Sequence, residues 1–259
     1  MLARLLVLVL AAGTYVYAFV SNNNAVLRLQ SFVLRTAKGL DDGFSDQAAY
    51  LRYLESISAL PEGFSVGAAR FSFKPFEVDK TLPMNLTLIT TVEPTDSFAA
   101  MFTSNKFPGG PIIVGRERMK SSPKLQAVVV NNKISNVCPG GSSDFGASDS
   151  DQVCQAVADK LGLPSKTLVF PSSTGIIGWR LPIEAIKGGV PVAVATMQSK
   201  SIYPAALGIT TTDRYPKVRA TTSKSKKWSI VGIAKGAGMI GESSFLKPSF
   251  LLSHASSSS

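Results

Sequence analysis

Trp228-Ser229-Ile230-Val231-Gly232-Ile233-Ala234-Lys235-Gly236-Ala237-Gly238-Met239-Ile240 is the stretch on which the fold turns. Trp228 to Ala234 reads as a strand. Lys235 stands where apolar Ile233-Ala234 gives way to flexible Gly236-Ala237-Gly238. A lysine at a strand end beside glycines can grip a carboxylate, although a solvent-facing lysine is the ordinary outcome. Working outward, Asp41 to Leu60 places Ala48, Leu51, Leu54 and Ile57 at helical spacing. Pro61-Glu62-Gly63 ends it. Phe64–Phe73 alternates as a strand, Asn85–Val92 is β-rich, and the continuous apolar run Leu125–Val130 suits a buried strand. Ser97–Thr103 precedes a turn at Phe107–Pro111. Asp149–Leu161 is expected to be a helix, with Ser148 or Asp149 as N-cap and Gly162 near its end. Leu168–Phe170 is a short strand, Pro182 to Lys187 begins a helix, and Ala205–Thr212 is a strand candidate. Helices and strands mix without strict alternation, so the expected class is α+β, or a layered α/β sandwich.

The chain has 259 residues, 45% of them hydrophobic and 17% charged, enough to bury a sizeable core. Net charge is +10. A basic cluster, Lys217, Arg219, Lys224, Lys226 and Lys227, is read as a solvated loop between two strands. No stacking aromatics alternate with these residues, so nucleic acid is not an expected partner. Cys138 and Cys154 match neither a zinc ribbon nor a redox pair and are expected as free, buried thiols. The one histidine, His254, lies in the serine-rich tail. That removes a Ser-His-Asp triad, a His-ligated metal and a His general base from the body.

The first forty residues contain Arg4, Arg28, Arg35 and Lys38 and no acid. The apolar run from Leu5 is followed by Val16-Tyr17-Ala18, which resembles a small-residue cleavage site, then by polar Ser21–Asn24 and a basic stretch to Lys38. We read a signal peptide followed by a transit-like segment, with no stable membrane anchor. Two such elements in series resemble bipartite presequences for secondary plastids. The expected destination is a plastid, the alternative being the mitochondrial matrix. The expected boundaries are 1–40 presequence, 41–240 body and 241–259 serine-rich tail.

Two loops join Lys235 as site candidates. Ser172-Ser173-Thr174-Gly175-Ile176-Ile177-Gly178 follows a strand and can offer a backbone N–H and a hydroxyl to a developing oxyanion. Thr210-Thr211-Thr212-Asp213-Arg214-Tyr215-Pro216-Lys217 passes from a strand end into a turn. Each alone is an ordinary turn. Taken in order with Gly232-Ile233-Ala234-Lys235-Gly236-Ala237-Gly238-Met239-Ile240, they resemble the ornithine acetyltransferase (glutamate N-acetyltransferase, ArgJ) family. Phe102-Thr103-Ser104-Asn105-Lys106-Phe107-Pro108-Gly109-Gly110-Pro111 and Val128-Val129-Val130-Asn131-Asn132 are similar to further family segments. The resemblance covers about Leu60 to Ile240.

The resemblance implies a layered α/β sandwich, similar to N-terminal-nucleophile-type autoprocessing acyltransferases. It implies acetyl transfer from N-acetylornithine to glutamate through a Thr acyl-enzyme, within arginine biosynthesis, without metal or organic cofactor. Thr174 and Gly175 match the oxyanion-hole pair. Thr211 or Thr212 matches a substrate-binding threonine, with Thr212 beside Asp213 favoured, and Lys235 matches a substrate-binding lysine. The family chain breaks itself before a nucleophilic Thr, whose freed α-amine can act as base. The resulting α and β chains assemble as a heterotetramer.

Here Ile240 is followed by Gly241-Glu242-Ser243-Ser244-Phe245, and no Thr follows Thr222. The expectation is an α-chain-like half, inactive alone, that works with a β-chain partner. The alternative is a non-catalytic module that binds a β chain or an amino-acid carboxylate. An isolated α-like half is also expected to expose apolar strands, with Val128–Val130 and Ile230–Ile233 as candidates.

Overall fold

The computed structural model describes residues 4–11, 14–21, 43–121, 124–223 and 228–236, the first two stretches by their backbone. Residues 22–42 and 237–259 lie outside the described residues, and with them most of the expected transit-like segment, the serine-rich tail and His254. Lys224, Lys226 and Lys227 also lie outside.

In chain order the elements are β1 (Arg4–Ala11), β2 (Thr14–Ser21), α1 (Gln47–Ser56), β3 (Phe64–Phe73), β4 (Leu82–Thr95), β5 (Phe98–Phe102), α2 (Gly110–Ser121), β6 (Leu125–Asn131), α3 (Ala147–Leu161), β7 (Val169–Ser173), α4 (Ile183–Ala195), α5 (Tyr203–Gly208), β8 (Lys217–Thr222) and β9 (Ser229–Lys235). They build two sheets, one in the order β5-β1-β2-β9-β8 and one in the order β3-β4-β6-β7. Successive side chains of the second sheet enter two separate cores, as the period of a strand requires. Phe64, Val66, Ile89, Val128, Val130 and Phe170 join Val231 and Ile233 of the first sheet. Leu86, Leu88, Val129 and Val169 turn the other way, toward Val153 and Val157 of α3 and Ile186 and Val190 of α4. The result is the expected layered α/β sandwich, and the apolar run of β6 is continuous because both of its faces are covered.

Local signals explain the helix ends. Asp46 opens α1, its carboxylate accepting from Ala49 N–H at 2.7 Å. α3 closes at Gly162, left-handed at φ 67°, as anticipated. Its N-terminus differs from the expected Ser148 or Asp149 cap. Gly146 holds that position at φ 81°, and Asp144 upstream supplies the acceptor for Ser148 N–H at 2.8 Å.

Four further expectations are corrected. Residues 205–208 belong to helix α5, not to a strand. Ala205, Ala206 and Ile209 are packed in the inter-sheet core, and a short apolar run carries no period that separates a buried helix from a buried strand. Lys217 and Arg219 lie on β8, an edge strand paired with β9, where basic residues blunt an open edge. Val128–Val130 and Ile230–Ile233 are not exposed. Val128, Val129, Val130, Val231 and Ile233 are at most 1% accessible. Finally, both cysteines are free, but Cys138 is exposed and only Cys154 is buried.

Arg4–Ala11 and Thr14–Ser21, read as the start of a leader, are two strands paired with each other along their whole length. Among the described residues no helix is long and apolar enough to cross a membrane.

Candidate functional site

β6 and β7 run parallel, with Asn131 level with Ser173. Both strands therefore release their chains at the same end, as parallel strands do at a ligand-binding crevice. Asn131-Asn132 leaves one and Thr174-Gly175 leaves the other. Thr174 N–H donates to the Asn131 carbonyl at 3.0 Å. Ser173 Oγ donates to Asn131 Oδ1 at 2.6 Å, and Asn131 Nδ2 donates to the Ile134 carbonyl at 2.8 Å. Ile176 N–H returns to the Lys133 carbonyl at 2.8 Å. The loop is clamped on both sides of Gly175.

Gly175 has φ 134°, and a Cβ there would lie 2.2 Å from the Lys133 carbonyl. Only glycine fits this close approach. Thr174 is buried at 2% exposure. Its N–H is committed to Asn131. Its hydroxyl and the N–H of Gly175 make no hydrogen bond among the described residues. Two donors next to each other in sequence are thus left available at a rigid loop, which is what an oxyanion requires.

The second loop is tied to the first by Asn132. Its Oδ1 accepts from Asn85 N–H at 2.7 Å, and its Nδ2 donates to the Thr210 carbonyl at 2.8 Å. Asp213 then organises the turn after the threonines and the end of β9. Its side chain is 1% exposed. Oδ1 accepts from Lys217 Nζ at 2.6 Å and from Gly236 N–H at 3.0 Å, and Oδ2 accepts from Thr211 N–H at 3.2 Å. Burial pushes the Asp213 carboxyl up. The hydrogen bonds from Lys217, Gly236 and Thr211, with the Lys217 charge, outweigh it and hold the group below its ordinary value.

Lys235 is the last residue of β9, 3% exposed, one residue before the Gly236 that Asp213 holds. Burial lowers the Lys235 pKa first, Asp213 opposes that, and Lys217 adds to the lowering. Burial and the Lys217 charge thus work against the ammonium form, and Asp213 works for it.

The structure brings Thr211, Thr212 and Lys235 together through Asp213. It joins Thr174 and Gly175 to them through Asn131 and Asn132. Thr212 is exposed and Thr211 is half-buried with its N–H committed. The sequence reading missed Asn132 and Asp213 as the residues that hold the loops. The visible signal was an asparagine pair ending a continuous apolar strand, and an acid directly after three threonines. Among the described residues no group of three or more His, Cys, Asp and Glu side chains is placed to hold a metal.

Comparisons with known proteins identify the family. The model of the ArgJ family matches residues 72–244. The arginine biosynthesis bifunctional protein ArgJ of Geobacter sulfurreducens is 38% identical over 178 residues, covering 68% of this chain and 44% of that protein. The mitochondrial protein of that name from Sordaria macrospora is 35% identical over 202 residues, covering 74% and 41%. Among solved structures, the ornithine acetyltransferase of Mycobacterium tuberculosis complexed with ornithine superposes with a TM-score of 0.61 at 27% identity, over 72% of this chain and 96% of that one. The ArgJ protein of Bacillus halodurans gives 0.55 at 28% identity, over 72% and 94%. The chain spans less than half the length of the curated relatives it matches.

Proposed function

Because this chain belongs to the ArgJ family, we propose that it supplies the oxyanion and substrate-binding half of an acetyltransferase of arginine biosynthesis. One observation carries the reading. Among the described residues Thr174 Oγ1 and Gly175 N–H make no hydrogen bond, in a loop held by Thr174 N–H on Asn131 and Ile176 N–H on Lys133. In the proposed reaction a threonine hydroxyl attacks the acetyl carbonyl of N-acetylornithine, and the oxygen gains charge between these two donors. Collapse breaks the C–N bond, and ornithine leaves with the proton from the threonine. The amine of glutamate then attacks the acyl-threonine, a second oxyanion forms, and its collapse breaks the ester C–O bond; the amine proton passes to the threonine oxygen and N-acetylglutamate leaves. Lys235 meets the α-carboxylate of the amino acid, with Thr211 or Thr212 beside it.

The attacking threonine is not among these 259 residues after Thr222. We assign it to the part of the family's length that this chain does not match. The apolar run from Leu5 and the acid-free basic segment after it support import into an organelle. A plastid is the favoured destination. The mitochondrion is the alternative, supported by the names of fungal relatives from Sordaria macrospora and Neurospora crassa.

The test mixes the purified chain with the unmatched half of the Geobacter sulfurreducens relative and follows ornithine released from N-acetylornithine in the presence of glutamate. Turnover is expected in the mixture and not with either part alone, and the chain alone should keep its 27.4 kDa mass. Turnover by the chain alone would overturn the division of labour. A tight complex without turnover would favour a binding module.

A further inference from the structure

The five-stranded sheet is continuous only because of Arg4–Ser21. β1 pairs in parallel with β5, Leu6 level with Phe98 and Leu10 with Phe102. β2 pairs antiparallel with β9, from Tyr15 level with Lys235 to Ser21 level with Ser229. β5 and β9 do not pair with each other. With strands about 4.8 Å apart, they stand three spacings, roughly 14 Å, from one another. Remove the hairpin and a slot two strands wide opens, with unpaired N–H and C=O groups along both walls.

The walls and the filling have different origins. β5 and β9 lie inside the region matched by the family model, residues 72–244, and β1 and β2 lie outside it. The family portion of this sheet is therefore split by a hairpin that the family match does not include. The solved relatives match over 94–96% of their chains, while the curated relatives match over 41–44% of theirs. A length of family sequence comparable to this chain is thus left over, enough to supply two strands.

We propose that the Arg4–Ser21 hairpin is an in-chain stand-in for a strand pair of the complementing half, and that the two compete for the slot between β5 and β9. This rests on the functional reading that a complementing half exists. The occupant is an apolar two-stranded segment of the family's unmatched length. It adds main-chain hydrogen bonds to both walls, the mode by which extended segments join exposed sheet edges. The position has a functional consequence. Tyr15 lies level with Lys235, so the first residues of β2 stand beside the strand that presents the lysine proposed to bind carboxylate. While the hairpin is seated, the half chain keeps a closed sheet and the complementing strands are shut out. Leaving the sheet, by displacement or by removal of the leader, is the step that permits assembly.

The test locks the hairpin in the full chain. In a Cys138→Ser background, one variant carries Val16→Cys with Ala234→Cys, and another carries Ser21→Cys with Ser229→Cys. The two registers differ in parity, so one is a non-hydrogen-bonded pair, the closer of the two. Peptide mapping should find the disulfide in at least one variant. Binding of the unmatched half of the Geobacter sulfurreducens relative should be at least tenfold weaker oxidised than reduced. Failure of both pairs to cross-link would overturn the proposal. So would equal binding by the oxidised and reduced forms; turnover in that complex would keep the functional reading while sinking this one. Cross-linking with no complex in either form would sink the complementing half and the stand-in together.

Discussion

Asp213 Oδ1 accepts from Gly236 N–H at 3.0 Å, across 23 residues of sequence. One carboxylate thereby holds both the turn after the three threonines and the strand end that bears Lys235. Asp213→Asn keeps the shape and removes the charge. Urea unfolding at pH 7 should show a loss of about 2 kcal/mol, the scale of hydrogen bonds to a charged group. Lys217 is partly in water, which screens its share. The folded pKa is depressed, so the stabilisation is present above about pH 4, the ordinary aspartate value, and is lost as pH falls through the folded value. The gap between the two proteins should therefore narrow at pH 3. A gap independent of pH would show that charge is not what matters.

Thr174→Val removes the hydroxyl that we propose meets the oxyanion and preserves side-chain volume. In the complemented enzyme kcat should fall about 10²–10³-fold with little change in KM. Thr174→Ser should retain most of the activity. Equal kcat for the Val and wild-type forms would remove Thr174 from the oxyanion site.

Gly175 and Gly178 both have positive φ but differ in space. Gly175→Ala would place Cβ against the Lys133 carbonyl, whereas Gly178→Ala meets nothing within 4 Å. Thermal unfolding should show Gly178→Ala losing about 1 kcal/mol from backbone strain. Gly175→Ala should lose more than about 3 kcal/mol or fail to give folded protein, because the backbone of residue 133 must move as well.

Asp144 is held down to about 2 by the Ser142 hydroxyl and the Ser148 N–H at the start of α3. Its stabilisation of the helix is present above about pH 4, the ordinary aspartate value, and declines as pH falls toward about 2. Asp144→Ala should cost about 1 kcal/mol at pH 7. Carboxyl NMR titration should place the midpoint well below the ordinary aspartate value. An ordinary midpoint would mean that the cap is not formed.

Thr87 is fully buried on β4, and its Oγ1 has no hydrogen-bond partner among the described residues. Thr87→Val removes an uncompensated desolvation and keeps the shape, so stability should stay level or rise by up to about 1 kcal/mol. A loss above that would reveal a partner for the hydroxyl.

Local pattern was enough for much of this molecule. The unbroken apolar run of β6 announced a strand covered on both faces. The helical spacing into Gly162 announced α3 and its end. The ordered appearance of Ser172–Gly178, Thr210–Lys217 and Gly232–Ile240 pointed to the family. None of these depends on where the chain goes next. The tertiary structure alone decided what they touch. Ala205–Ile209 became a helix because packing in the inter-sheet core, not intrinsic period, chose between two apolar forms. Lys217–Thr222 became an edge strand because β9 offered it a ladder. Asn132 and Asp213 acquired their roles only when Thr210 and Gly236, distant in sequence, came within hydrogen-bonding reach. Residue pattern encodes how much surface a segment must bury. Which partner buries it is set by contacts between segments far apart along the chain.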